Sequence, residues 1–130
     1  VLCHFPLLGE ESWAAEHGGK DAGHLPDGPR LVEELGRRVA RPLLILCGHQ
    51  HWHHISHGRG WVQCVTASLI EYPMEVRLVT FDGQTVGVET LPGGAEQLAL
   101  ASLLSAAWVR GRDEDRTWRS TAGDSALVRT

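Results

Sequence analysis

Pro42-Leu43-Leu44-Ile45-Leu46-Cys47-Gly48-His49-Gln50-His51 is the stretch of this chain that decides how it is built. Its apolar run is too short for a typical helix and is bounded by Pro and Gly, the pattern of a buried strand and its end. Gly48 lets the backbone turn sharply, and two imidazoles one residue apart follow it. Neutral imidazole is the commonest metal ligand near pH 7. A second His stands in the same context upstream, in Val1-Leu2-Cys3-His4-Phe5-Pro6. Both runs therefore predict a strand that hands a histidine to a loop.

Between the two lies a Gly-rich stretch over residues 9–28, predicted as a long loop. Asp27-Gly28-Pro29 then opens a helix, with Pro suited to its first turn. Leu31, Val32, Leu35 and Val39 form its apolar stripe, and Glu33 and Glu34 stand four residues before Arg37 and Arg38, the favourable order for ion pairs on a solvent face. Strand, helix and strand at this spacing predict a parallel β-α-β unit. Both strands would deliver His at their C-terminal ends, the edge where ligands gather in open α/β sheets.

Downstream the pattern changes. Residues 61–68, 74–81 and 85–90 alternate loosely and are rich in Val, Thr and aromatics, and Asp82-Gly83 is a strong hairpin signal. An antiparallel meander is expected. Residues 95–110 place Leu100, Leu103, Leu104, Ala107 and Trp108 on one face of an amphipathic C-terminal helix. The polar stretch 111–130 is expected to be disordered. The fold class is α/β, with residues 1–94 as the main body.

The bulk numbers restrict function. A chain of 130 residues is one domain at most, and 42% apolar with 22% charged residues is a globular composition. A formal net charge of −4 argues against nucleic acid or an anionic membrane as partner. No apolar stretch reaches the roughly 18 residues of a membrane span. Cys3, Cys47 and Cys64 are an odd number of cysteines in apolar runs, read as buried reduced thiols of a cytoplasmic protein. The chain starts inside a strand-like run and its single Met is Met74, so a segment of a longer protein is expected.

His4-Phe5-Pro6 after a strand, then a helix, then a strand ending in Gly48-His49-Gln50-His51 resembles the C-terminal half of the calcineurin-like metallophosphoesterases, over about residues 1–90. The segment Val65-Thr66-Ala67-Ser68-Leu69-Ile70-Glu71-Tyr72-Pro73-Met74-Glu75-Val76-Arg77 is similar to the branch that includes the cyclic-nucleotide phosphodiesterases. The resemblance implies half of a four-layer αββα sandwich and a hydrolase of phosphodiester or phosphomonoester bonds. It implies two divalent metal ions (Mn, Fe or Zn) that turn a bridging water into the attacking hydroxide. Carried over, His4 and His49 would bind one metal and His51 the other, and the substrate would be a small-molecule phosphate ester.

The departures matter equally. The family's Asp-x-His, Gly-Asp-x-x-Asp and Gly-Asn-His motifs do not occur, and the chain contains no Asn at all. These 130 residues alone are therefore expected to bind metal weakly and to lack meaningful phosphodiesterase activity. The missing N-terminal half or a second copy is the expected partner. Two other readings stand beside this one: a non-catalytic interaction module on the same fold, and a metal-buffering His-rich protein. His53, His54 and His57 are read as solvated loop residues, His17 and His24 as members of the Gly-rich loop. Trp52 is read as shielding the cluster, and Ser68 with Tyr72-Pro73 as shaping a turn.

Overall fold

The computed structural model describes residues 1–9, 23–39, 42–70, 73–82, 85–94 and 113–119. Helix α1 spans Gly28–Arg38 and opens on Pro29 as expected. Its polar face carries the ion pairs foreseen: Arg37 reaches Glu33 at 2.6 Å and Glu34 at 2.9 Å, and Arg38 reaches Glu34 at 2.7 Å. These pairs are exposed and worth at most a few tenths of a kcal/mol each. The apolar stripe is narrower than its spacing implied, with Val32 buried, Leu35 half-buried, and Leu31 and Val39 open to solvent.

Two three-stranded sheets follow. In the first, β1 (Leu43–Cys47), β2 (His54–Gly58) and β3 (Trp61–Val65) lie in the order β1-β3-β2. β3 runs parallel to β1, with Leu43 opposite Trp61 and Cys47 opposite Val65, and antiparallel to β2. Residues 1–4 extend the sheet beyond β1. Leu2 bridges Leu46 in the parallel sense, Cys3 N–H donates to Leu46 O at 3.1 Å, and Gly48 N–H donates to His4 O at 3.1 Å. The parallel β-α-β arrangement is thus present, with its first strand reduced to a short extended segment.

The second sheet holds β4 (Glu75–Phe81), β5 (Val86–Pro92) and β6 (Thr117–Arg119) in that order, all antiparallel. The hairpin at Asp82 is as expected: its carboxylate accepts from Thr85 N–H at 2.7 Å and from the Thr85 hydroxyl at 2.7 Å. The predicted single meander is corrected at its start. β3 carries Val62 and Cys64 into the first sheet, because an unexpected strand, β2, supplies its antiparallel partner. Residues 113–119, within the stretch expected to be disordered, form a short 3-10 turn (Asp113–Asp115) and β6. The predicted helix over 95–110 lies outside the described residues, as does most of the long loop.

Strand alternation sorts the core into two layers. On one face of the first sheet, Leu43 and Ile45 pack with Val32 of α1 and Leu7. On the other, Val62 and Cys64 meet Val88 of β5, flanked by Leu44, Leu46, Ile55 and Val79. The described residues therefore stack as helix, sheet and sheet, an α/β architecture. α1 starts hard against residue 7. A Cβ on Gly28 would stand 1.7 Å from Leu7 O, so this contact admits only glycine. No described helix is long and apolar enough to cross a membrane.

Candidate metal centre

The end of β1 is bent by a three-residue turn. Gln50 N–H donates to Gly48 O at 2.8 Å, closing the turn around His49, whose φ is +68°. A turn closed from i to i+2 with positive φ at its centre is the rare, strained form. His51 has φ +59°. Two non-glycine residues in left-handed conformations, each costing about 1–3 kcal/mol, persist only where the surroundings impose them.

Those surroundings are visible. Gln50 is buried between the two histidines and is held at both ends of its side chain. Its Nε2 donates to Gly23 O at 3.2 Å, and its Oε1 accepts from the Trp52 indole at 2.6 Å. Gly23, at φ +80°, lies so close that a Cβ there would stand 3.0 Å from His49 Nε2. Phe5 packs against the His49 ring with centroids 3.9 Å apart.

The outcome is that His4 and His49 meet. His49 Nδ1 stands 3.3 Å from His4 Nε2, with the ring planes at 72°. Two imidazole nitrogens each about 2.0–2.1 Å from a tetrahedral zinc would stand about 3.3–3.4 Å apart. That separation is one an N–H···N hydrogen bond between the rings also gives, and it equally fits two ligands of one ion. Burial, with the neighbouring His4 and His51, holds the His49 pKa below its ordinary value. His51, the ligand expected for a second ion, is exposed at the next left-handed residue. Among the described residues, no three or more His, Cys, Asp or Glu side chains gather as a metal-binding group.

The segment bearing His4 is fixed from below. Gln63, in the middle of β3 and fully buried, accepts through Oε1 from Leu7 N–H at 2.8 Å and Leu8 N–H at 3.0 Å. Its Nε2 donates to Leu8 O at 3.0 Å. A glutamine in an apolar strand thus replaces the ladder that residues 7 and 8 lack.

The reading of His53 and His54 as solvated residues is corrected, since both are buried. His53 Nδ1 accepts from Arg77 Nε at 3.1 Å and Ala67 N–H at 3.4 Å, which leaves the proton to Nε2; that atom lies 3.2 Å from Glu75 Oε2 without hydrogen-bond geometry. Burial, then the Arg77 and Arg116 guanidiniums, depress its pKa to about 3 and keep it neutral. Arg116 in turn pairs with Glu75. His54, at the start of β2, stacks on Trp52 and donates from Nδ1 to Asp115 Oδ2 at 3.1 Å. His57 is exposed. His24 lies against Gly9, and His17 is outside the described residues. Trp52 is buried, held between Gln50 and His54.

Cys47 and Cys64 are buried and Cys3 is half-buried, and the Cys47 thiol donates to Cys64 O at 3.5 Å. Burial pushes the Cys64 pKa up to about 11. Cys3 lies beside Leu46 O, and no Cys joins the histidine pair among the described residues. Ser68 Oγ accepts from Ile70 N–H at 3.2 Å, while Tyr72, the other part of the expected turn, lies outside the described residues.

No protein-family model matches the chain, and no curated protein does.

Proposed function

We propose that this chain is the C-terminal part of a binuclear-metal phosphoesterase, acting on a small phosphodiester such as a cyclic nucleotide, or on a phosphomonoester. The observation that carries the proposal is the His4–His49 pair at ligand spacing, built on a strained turn. Strain retained at a loop with two exposed or half-exposed imidazoles points to use of those imidazoles rather than to packing. A four-layer sandwich fits the helix, sheet and sheet found here if a further half adds the remaining layer and strands.

His4 and His49 would hold one metal ion and His51 the second. The ions supply Lewis acidity and a water acidic enough to attack phosphorus near neutral pH. The chain's own work is positional. Gln63 and the Gly48–His4 hydrogen bond fix the first imidazole, the turn at Gly48 fixes the second, and Phe5 walls one side of the pair. Two imidazoles on one ion leave its coordination incomplete. The remaining ligands, the bridging carboxylate and the group protonating the leaving oxygen belong to the absent half. The chain alone is accordingly a weak metal binder without turnover. Leu2, Ile70 and Phe81 are largely exposed and offer apolar surface for that half or for a second copy. A cytoplasmic location belongs to this proposal, on cysteines in apolar runs read as reduced thiols.

The reading frame upstream of Val1 tests this directly. Codons for Asp-x-His, Gly-Asp-x-x-Asp and Gly-Asn-His motifs are expected. A start codon immediately before Val1 would instead make the chain a non-catalytic module.

A further inference from the structure

Asp115 is far from the candidate ligands in sequence, yet it is tied to the turn that carries them. Its buried carboxylate takes two hydrogen bonds at the entry to β2, from His54 Nδ1 at 3.1 Å and from Ile55 N–H at 3.0 Å. The His54 ring is stacked on the Trp52 indole, with centroids 5.4 Å apart and planes 15° from parallel. The indole N–H donates to Gln50 Oε1 at 2.6 Å, and Gln50 is the residue between the two left-handed histidines. The two side-chain hydrogen bonds at the ends of this chain of contacts are buried and directional, and a ring stack joins them. Asp115 itself is anchored by the neighbouring β6, which pairs with β5.

We infer that Asp115 is a positioning residue for the His4–His49 pair, acting through His54, Trp52 and Gln50. The consequence for metal affinity rests on the proposed metal-binding role of that pair, whereas the coupling of Asp115 to the turn does not. A carboxylate is suited to the task because it accepts from a ring N–H and a backbone N–H together, fixing both the tautomer and the plane of His54. That plane sets the indole, and the indole N–H, donating to Oε1, sets the Gln50 carboxamide. Without Gln50 held at both ends, the turn at His49 can relax out of its left-handed conformation and the two imidazoles part. Outer partners of this kind typically change metal affinity by about 10–100-fold when removed.

The test uses the full 130-residue chain with Asp115→Ala, the milder Asp115→Asn, and Leu35→Ala as a control that destabilises the helix face of the core. Zinc alone is titrated while imidazole nitrogen and indole N–H resonances are followed by NMR, and thermal midpoints are recorded. Asp115→Ala is expected to weaken zinc binding about tenfold and to shift the Trp52 indole and Gln50 carboxamide signals. Asp115→Asn is expected to move the His54 proton towards Nε2 if its amide group faces that ring. Leu35→Ala should lower the midpoint and leave affinity and these signals in place. Equal losses of affinity in Asp115→Ala and Leu35→Ala would overturn the inference. Should the wild type bind no zinc, the metal reading fails separately, and the indole and carboxamide signals still decide the coupling: shifted in Asp115→Ala they support it, unchanged they overturn it.

Discussion

His49 Nδ1 and His4 Nε2 stand 3.3 Å apart, although 45 residues separate them. Two parallel extended segments side by side bring them to one edge of the sheet, and a turn with φ +68° rotates His49 back towards His4. The strained backbone and the ring pair are thus one feature. Replacing His51 by Gly tests the strain without touching this pair. Gly has no Cβ penalty at positive φ, so His51→Gly is expected to raise stability by up to about 1 kcal/mol, measured by urea unfolding. A clear loss of stability would mean that the contacts of His51 outweigh the relief of backbone strain.

Gly23 lies close against His49. Gly23→Ala adds a Cβ at 3.0 Å from His49 Nε2 and forces a side chain onto φ +80°. The left-handed backbone alone costs about 1–2 kcal/mol, and His49 must shift by a few tenths of an ångström. Lower stability together with weaker zinc binding is expected from paired unfolding and titration measurements. Unchanged binding would separate the Gly-rich loop from the site.

Gln63 offers a sharper stability test. Gln63→Leu keeps the bulk and leaves the N–H groups of Leu7 and Leu8 without their acceptor. At about 1–3 kcal/mol for each buried unsatisfied donor, a total loss on the order of 2–6 kcal/mol is expected. Hydrogen exchange should localise the opening to residues 4–8, and protection retained there would contradict the assigned role.

Cys64 makes the stability fall in alkali. Its folded pKa, about 11, lies above the ordinary value of 9.0 because burial disfavours the thiolate. The unfolded chain therefore releases this proton first as pH rises. The contribution is complete below pH 9 and is lost as the pH climbs towards 11. Urea midpoints measured from pH 8 to pH 10.5 should decline more steeply for the wild type than for Cys64→Ala. Parallel slopes would count against a buried protonated thiol.

The parts of this fold legible in the sequence are those with a strong local signal. β1 announces itself by five apolar residues between Pro and Gly, α1 by Pro29 and its charge order, and the second hairpin by Asp82-Gly83. β2 was not legible because His54-Ile55-Ser56-His57-Gly58 looks like loop, and its entry is held by Asp115, 61 residues away from His54. Missing β2 also displaced β3 into a meander, since a strand's partners are set by the whole sheet. In the site, the spacing of His49 and His51 was readable. Gly23, Gln63 and Asp115 were not, because each acts through one long-range contact that leaves no periodic trace.

The central claim is that His4 and His49 share one ion. Its most direct measurement is zinc titration of the wild-type chain, His4→Ala and His49→Ala, followed through the imidazole nitrogens by NMR. The wild type should show weak saturable binding with His4 Nε2 and His49 Nδ1 as the perturbed atoms, and each single substitution should abolish it. Binding that survives either substitution, or that perturbs other histidines instead, would contradict the account.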